Sequence, residues 1–271
     1  MTHKDKVIII TGSSMGIGKV MALELLNKGA KVVLNARNKE RLNKTFAELQ
    51  SAGHPVIAIA GDVSKVEDCE HLATETIKAF GKIDVLINNA GISMEGEVTE
   101  LSPDVFRKVM EVNYLGSVYP TQAVLPELKR SKGSVIFMSS AAGVRGLPGF
   151  SVYSSSKMAL TALAESMKIE LHKDEVHVGI AYVGFTQNDP EKTIYNANGK
   201  IIAQPNRSFI KAEPPINVAK RVSTMIANRT FKRVFTPLGK LNAIVNRWTP
   251  SLGEWILRRN YFKRKAENKK D

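Results

Sequence analysis

The chain has 271 residues, 43% of them hydrophobic, with one cysteine, five histidines and a formal net charge of +13. That length suits one large α/β domain, and no break in composition asks for a second. Cys69 is alone, which excludes disulfides within the chain, and the histidines lack metal-ligand spacing, so no metal is expected and a reducing, cytoplasmic setting is.

The segment Met1 to Lys6 is polar and precedes only four apolar residues, so neither a signal-peptide core nor a membrane span is expected there. Val7 to Ile10 reads as a buried strand, and Thr11 to Gly18, T-G-S-S-M-G-I-G, leads from it into an apolar-periodic helix over 17 to 28. Strand, glycine-rich turn and helix together point to a dinucleotide site. Gly12 permits the tight turn, Gly16 lets a pyrophosphate approach the backbone, and Gly18 lets the helix pack on the strand. A plain tight turn is the competing reading.

Further apolar runs at Lys31 to Leu34, Val56 to Ala60, Val85 to Ile87, Val135 to Met138, Val176 to Tyr182 and Arg233 to Phe235 complete seven strands. Helices are predicted near 39 to 51, 65 to 80, 103 to 130, 155 to 172 and 216 to 228. Strict alternation predicts an α/β fold: a Rossmann-type, doubly wound, seven-stranded parallel sheet with helices on both faces and ligands at the carboxyl ends of the strands.

Several residues at those ends can carry chemistry. The second strand ends in Leu34-Asn35-Ala36-Arg37, which has no carboxylate for a ribose 2′-hydroxyl and offers a guanidinium suited to a 2′-phosphate, with Lys39 and Arg41 nearby. Asn88-Asn89-Ala90-Gly91 follows the fourth strand, Asn113 lies inside the long helix, and Ser140 ends the fifth strand. Tyr153 and Lys157, four apart in Y-S-S-S-K, share a helix face. A tyrosine with a pKa of about 10 is a poor base at neutral pH, but a neighbouring ammonium favours the phenolate. Blander readings stand beside these: turn chemistry for the serine, a solvent-facing asparagine and a solvated Tyr–Lys face.

In this order and at these distances the motifs resemble the short-chain dehydrogenase/reductase family over roughly residues 5 to 237. Within the family the chain resembles 11β-hydroxysteroid dehydrogenase-like members, which share the loss of a proline after the sixth strand, and 3-ketodihydrosphingosine reductases, in Val112 to Pro120. The resemblance implies a cofactor loop with contacts at Gly12, Ser14, Gly16, Ile17 and Gly18, an adenine pair at Asp62-Val63, and a central motif at Asn89, Ala90 and Gly91. It implies a catalytic four of Asn113, Ser140, Tyr153 and Lys157. Tyr153 would move the proton, Ser140 hold the substrate oxygen, Lys157 lower the tyrosine pKa and bond the nicotinamide ribose, and Asn113 hold a relaying water. Arg37 implies NADP(H), and Asn188 stands where the family contacts the nicotinamide amide.

The expected organisation is a catalytic domain over 1–237 with a substrate loop at 186–215, followed by a basic, aromatic, helical extension over 238–271. In the loop, Ile194, Tyr195, Ile201, Ile202, Phe209 and Ile210 either line an apolar pocket or fasten the loop down. From residue 240 onward nine basic residues face three acidic ones, and both tryptophans lie in this region. Its last seven or so residues read as a frayed end. For the rest, peripheral contact with a membrane surface competes with packing on the domain or on a second subunit. The family implies a homodimer or homotetramer built on the helices of Asn113 and Tyr153.

The leading reading is an NADP(H)-dependent oxidoreductase interconverting a ketone and a secondary alcohol on an apolar, long-chain lipid or steroid-like, substrate. The alternative is a non-catalytic nucleotide-binding protein of the same fold that uses its basic surface for nucleic acid or membrane. No stretch forms a recognisable nucleic-acid module, so nucleic acid is not an expected partner.

Overall fold

Val7 to Thr11 is aliphatic almost throughout, and such a strand is stable only if both of its faces are covered. The computed structural model, which describes residues 2–187, 189–204 and 212–267, covers both. The first half runs β1 (Val7–Thr11), α1 (Gly16–Asn27), β2 (Lys31–Ala36), α2 (Lys39–Ser51), β3 (Val56–Ala60), α3 (Val66–Phe80) and β4 (Val85–Asn88). Then come α4 (Pro103–Met110), a π-helical turn (Glu111–Leu115), α5 (Gly116–Ser131), β5 (Ser134–Ser140), α6 (Ser151–Glu170) and β6 (His177–Val183). The chain continues through β7 (Thr193–Tyr195), β8 (Ile201–Ala203), α7 (Pro215–Ala227), β9 (Lys232–Val234), α8 (Pro237–Trp248) and α9 (Pro250–Glu267).

Seven strands form one parallel sheet in the order β3-β2-β1-β4-β5-β6-β9. Strand alternation sorts the core into two layers. Ile8 and Ile10 face Met21 and Leu25 of α1 and Val218 and Val222 of α7, whereas Val7 and Ile9 face the layer of Leu128, Phe137, Leu160 and Tyr182. Each fully buried aliphatic side chain contributes roughly 1.5–3 kcal/mol, so the sheet is a rigid base for whatever its edge presents. Strand order reverses between β1 and β4, which opens a crevice at their carboxyl ends.

The structure departs from expectation in four places. The helix expected over 103 to 130 is broken by the π turn at Glu111–Leu115, and the one expected from 155 begins at Ser151, so Tyr153 lies in its first turn. The expected loop at 186–215 contains an antiparallel pair, β7 with β8, bridged to the body through Met94 and Tyr195. Ile194 and Tyr195 are buried, Tyr195 in a small core with Met94 and Val105, and so fasten the segment, while Ile201 and Ile202 are exposed. Phe209, Ile210 and Asn188 lie outside the described residues.

The fourth difference is the extension. It is helical as expected, a pair α8–α9, but its second member runs to Glu267, past the point where fraying was expected. Arg264's side chain, with Lys269, Lys270 and Asp271, lies outside the described residues. Polar contacts tie the pair to the body: Asn246 Nδ2 donates to Val144 O at 3.0 Å, and Arg145 Nη1 donates to Asn246 Oδ1 and Pro250 O. Tyr261 and Lys265 both donate to Glu97, at 2.5 and 2.6 Å. Trp248 and Trp255 are 74% and 57% exposed, so the apolar face of the pair is not buried on its own domain. Among the described residues no helix is long and apolar enough to cross a membrane.

Candidate active site

The paired residues of β1 and β4 end at Ile10 and Ile87, and polar groups hold the two chains together beyond that point. Thr11 Oγ1 accepts from the amides of Asn89 and Ala90, each at 3.0 Å, and Asn89 Nδ2 donates to Thr11 O and Gly12 O, each at 2.9 Å. The approach is close enough to require glycine. A Cβ at Gly12, whose φ is +63°, would stand 2.7 Å from Ala90 Cα, and one at Gly18 would stand 2.3 Å from Gly12 O. Ser14 is buried with its carbonyl held by Thr45 Oγ1, and Ile17 sits in the first turn of α1, half-buried against the core. Gly16 N donates to Asp189 Oδ2 at 3.0 Å, a contact with no sequence signal.

Beside this turn is a cleft of about 140 Å³ lined by Gly12, Asn35, Ala36, Arg37, Asp62 and Ala90, among others. The residues fit an adenosine end. Asn35 Oδ1 is buried there with no hydrogen-bond partner among the described residues, and no acid stands at the end of β2 to repel a phosphate. Arg37 extends to 3.6 Å from Asp62, its side chain 60% exposed. Burial alone would raise the Asp62 carboxyl, but hydrogen bonds from Ser64 and the charge of Arg37 hold it below the ordinary carboxylate range. Val63, next in the chain, is buried.

The four residues expected to be catalytic come from three elements: the π turn, β5 and α6. Asn113 lies in the π turn and is fully buried, not solvent-facing. Its Oδ1 accepts from Ile92 N at 2.8 Å, and its Nδ2 donates to Ile92 O and Ser156 Oγ, each at 3.0 Å. The π turn widens the helix where this side chain must turn inward. Ser140 ends β5, its Oγ accepting from Ala142 N at 3.2 Å. Lys157 Nζ donates to Met138 O at 2.9 Å and stands 6.0 Å from the centre of the Tyr153 ring. A Cβ on Gly91 would meet Asn113 Oδ1 at 3.2 Å and Lys157 Nζ at 3.4 Å, so these three residues converge. Burial, with a lesser push from Lys192, lowers the Lys157 amine from 10.5 to about 8.

Over residues 6–198 the chain matches the family described as short chain dehydrogenase. It belongs to that family of oxidoreductases. An 11-beta-hydroxysteroid dehydrogenase-like protein, 4A, of Arabidopsis thaliana is 38% identical over 239 residues, 84% of this chain and 78% of that protein. A 3-ketodihydrosphingosine reductase of Mus musculus is 40% identical over 181 residues, 65% of this chain but only 54% of the reductase. Among solved structures, an alcohol dehydrogenase from Thermococcus sibiricus complexed with 5-hydroxy-NADP superposes with a TM-score of 0.74 at 30% identity, over 85% of this chain and 96% of that one. A short-chain dehydrogenase/reductase from Burkholderia phymatum in complex with NAD reaches 0.81 at 24% identity, over 93% and 96%, and supports the fold. The family match ends before α7, so the polar-tied helix pair α8–α9 lies beyond it.

Sequence reading missed Ser156, which is fully buried and links Asn113 to the Tyr153 carbonyl, and it missed the Met138 carbonyl that receives Lys157. A serine directly before a functional lysine was the available hint for the first. Nothing in a sequence marks a carbonyl.

The Lys157 shift makes a signed prediction. Below about pH 8 both folded and unfolded chains carry this charge and the folded state bears the full burial penalty; between 8 and 10.5 only the unfolded chain is protonated. Folding stability therefore rises with pH across that window. Urea melts of wild type and Lys157→Met should diverge in favour of wild type from pH 8 to 10.5, by on the order of 3 kcal/mol in total. A constant difference across the window refutes the shift.

Proposed function

We propose that the protein is an NADP(H)-dependent oxidoreductase that interconverts a ketone and a secondary alcohol on an apolar substrate. The observation that carries this reading is the convergence of Gly91, Asn113 and Lys157, with Tyr153 one helical turn before the lysine and Ser140 at the adjoining strand end. Tyr153 donates the proton to the substrate oxygen in reduction and removes it in oxidation, with the buried ammonium of Lys157 stabilising the phenolate. The Ser140 hydroxyl holds the same oxygen. One N–H of Lys157 is committed to Met138 O, which leaves two for ribose hydroxyls. Asn113 commits both amide protons to Ile92 and Ser156; it keeps the end of β4 and α6 in register and retains an Oδ1 lone pair for a relaying water. A bound nicotinamide supplies the hydride chemistry, and the chain positions it.

Gly12, Ser14, Gly16, Ile17 and Gly18 hold the pyrophosphate end, Asp62 and Val63 the adenine, Asn89 to Gly91 the middle of the cofactor, and Asn188 the amide. Arg37 assigns the 2′-phosphate and hence NADP(H), a reading supported by the absence of a carboxylate at Ala36. The apolar substrate is supported by the steroid and sphingoid names of the relatives. The exposed tryptophan face of α8 and α9, set among Arg247, Arg258, Arg259 and Lys263, suits the surface of an anionic membrane. Homodimerisation through α5 and α6 is the assembly this reading carries.

Tyr153→Phe keeps the ring and removes the acid; ketone reduction should fall by about a hundredfold or more while NADPH affinity stays within about twofold. Turnover at the wild-type level would sink the mechanism. For Arg37→Ala, direct titration should find NADPH weakened roughly ten- to a hundredfold and NADH scarcely changed, the range expected for a lost charge-assisted contact. Equal losses refute the 2′-phosphate assignment. The double variant Trp248→Ser, Trp255→Ser removes exposed rings whose ring contacts are to the surface cations Arg247 and Arg259, so it should melt close to wild type yet co-sediment less with phosphatidylserine vesicles. Lowered melting, or unchanged vesicle binding, contradicts the membrane reading.

A further inference from the structure

Between β6 and β7 the chain reads Asp189-Pro190-Glu191-Lys192, and this turn lies against the glycine-rich turn and the start of α2. Asp189 uses both carboxylate oxygens. Oδ1 accepts from Glu191 N at 3.1 Å and closes an Asx turn, and Oδ2 accepts from Gly16 N at 3.0 Å, at the first residue of α1. Glu191 is thereby presented to α2, where its Oε2 stands 3.0 Å from Arg41 Nη2. Both flanks are fastened. Upstream, Gln187 N and Glu213 N bond to Glu213 O and Phe185 O; downstream, Thr193–Tyr195 pairs with Ile201–Ala203 and bridges to Met94.

Two carboxylates thus engage two donors of the kind that bind phosphate: an amide at a helix N-terminus and a guanidinium beyond the end of β2. We propose that Asp189 and Glu191 form an acidic strap that competes with the cofactor's own anionic groups and so sets its affinity and selectivity. Asp189 opposes the pyrophosphate, which both nicotinamide dinucleotides carry. Glu191 opposes the 2′-phosphate, which only NADP(H) carries, by neutralising Arg41. The inference rests on the dinucleotide reading above and adds Arg41 to Arg37 as a second cation for that phosphate.

The strap's charges are removed one at a time by Asp189→Asn, which keeps the Asx turn, and Glu191→Gln. Calorimetric titration at low salt should show Asp189→Asn binding NADH and NADPH about two- to fivefold more tightly, the range for a charge at a helix N-terminus. Glu191→Gln should tighten NADPH by up to about fivefold, as for a partly exposed ion pair, and leave NADH unchanged. Both gains should shrink toward 1 M salt. A readout without cofactor completes the test: the Gly16 amide resonance should move in Asp189→Asn. Unchanged or weaker binding of both cofactors by Asp189→Asn, or a stationary Gly16 amide, overturns the strap while leaving the dinucleotide reading intact. Equal tightening of both cofactors by Glu191→Gln overturns the selectivity half. If no variant and not the wild type binds either cofactor, the dinucleotide reading itself falls.

Discussion

The crevice depends on one junction, the meeting of β1 and β4 just past their last paired residues. A doubly wound sheet sends the connections of these strands to opposite sides, so sheet hydrogen bonding cannot hold their ends together. One hydroxyl and one carboxamide do so. Thr11 gathers two amides from Asn89 and Ala90, and Asn89 returns two bonds to the carbonyls of Thr11 and Gly12. Because Gly12 lies against Ala90 without room for a Cβ, the start of α1 is fixed relative to Gly91, and through it to Asn113 and Lys157. Phosphate-binding backbone and proton-transfer side chains share one frame for this reason.

Chemistry and stability oppose each other at Lys157. An ammonium inside the protein, on the carbonyl of Met138, disfavours its own charge and the folded state with it. The same burial brings the amine near neutral pH and sets it beside the phenol of Tyr153. Ser139 Oγ bonded to the Lys157 carbonyl, and Ser156 Oγ bonded to that of Tyr153, immobilise the backbone under both residues. Local rules of core formation give way here, as they do at working sites.

Strands and glycines were legible because they obey local rules. A run such as Val7 to Ile10 can only be a strand covered on both sides, and Gly12 and Gly18 answer to contacts a side chain would forbid. The start of α6 at Ser151 was not legible, since Phe150 caps it without a side-chain hydrogen bond. Nor was the β7–β8 pair, whose three-residue strands are too short to show a period. The Asp189 contact joins residues 173 apart through a backbone amide, which leaves no trace in composition. The outward face of α8 and α9 was beyond reach as well: their apolar residues read alike whether buried or exposed, and the polar ties to Val144, Arg145 and Glu97 decide it.

The π turn at Glu111–Leu115 also keeps the long helical segment in phase. Val105 and Leu128 are both buried and lie 23 residues apart. At about 100° per residue an unbroken α-helix would carry Leu128 about 140° around the axis from Val105, onto a different face. Absorbing one residue in a wider turn brings that offset to about 40°, and one stripe stays inward from end to end. The segment is in effect an α-helix with a single inserted residue. Removing one residue between 111 and 115 would restore a regular α-helix in the same phase, so the face from Gly116 onward would stay on the sheet and the loss would be the widened turn that carries Asn113.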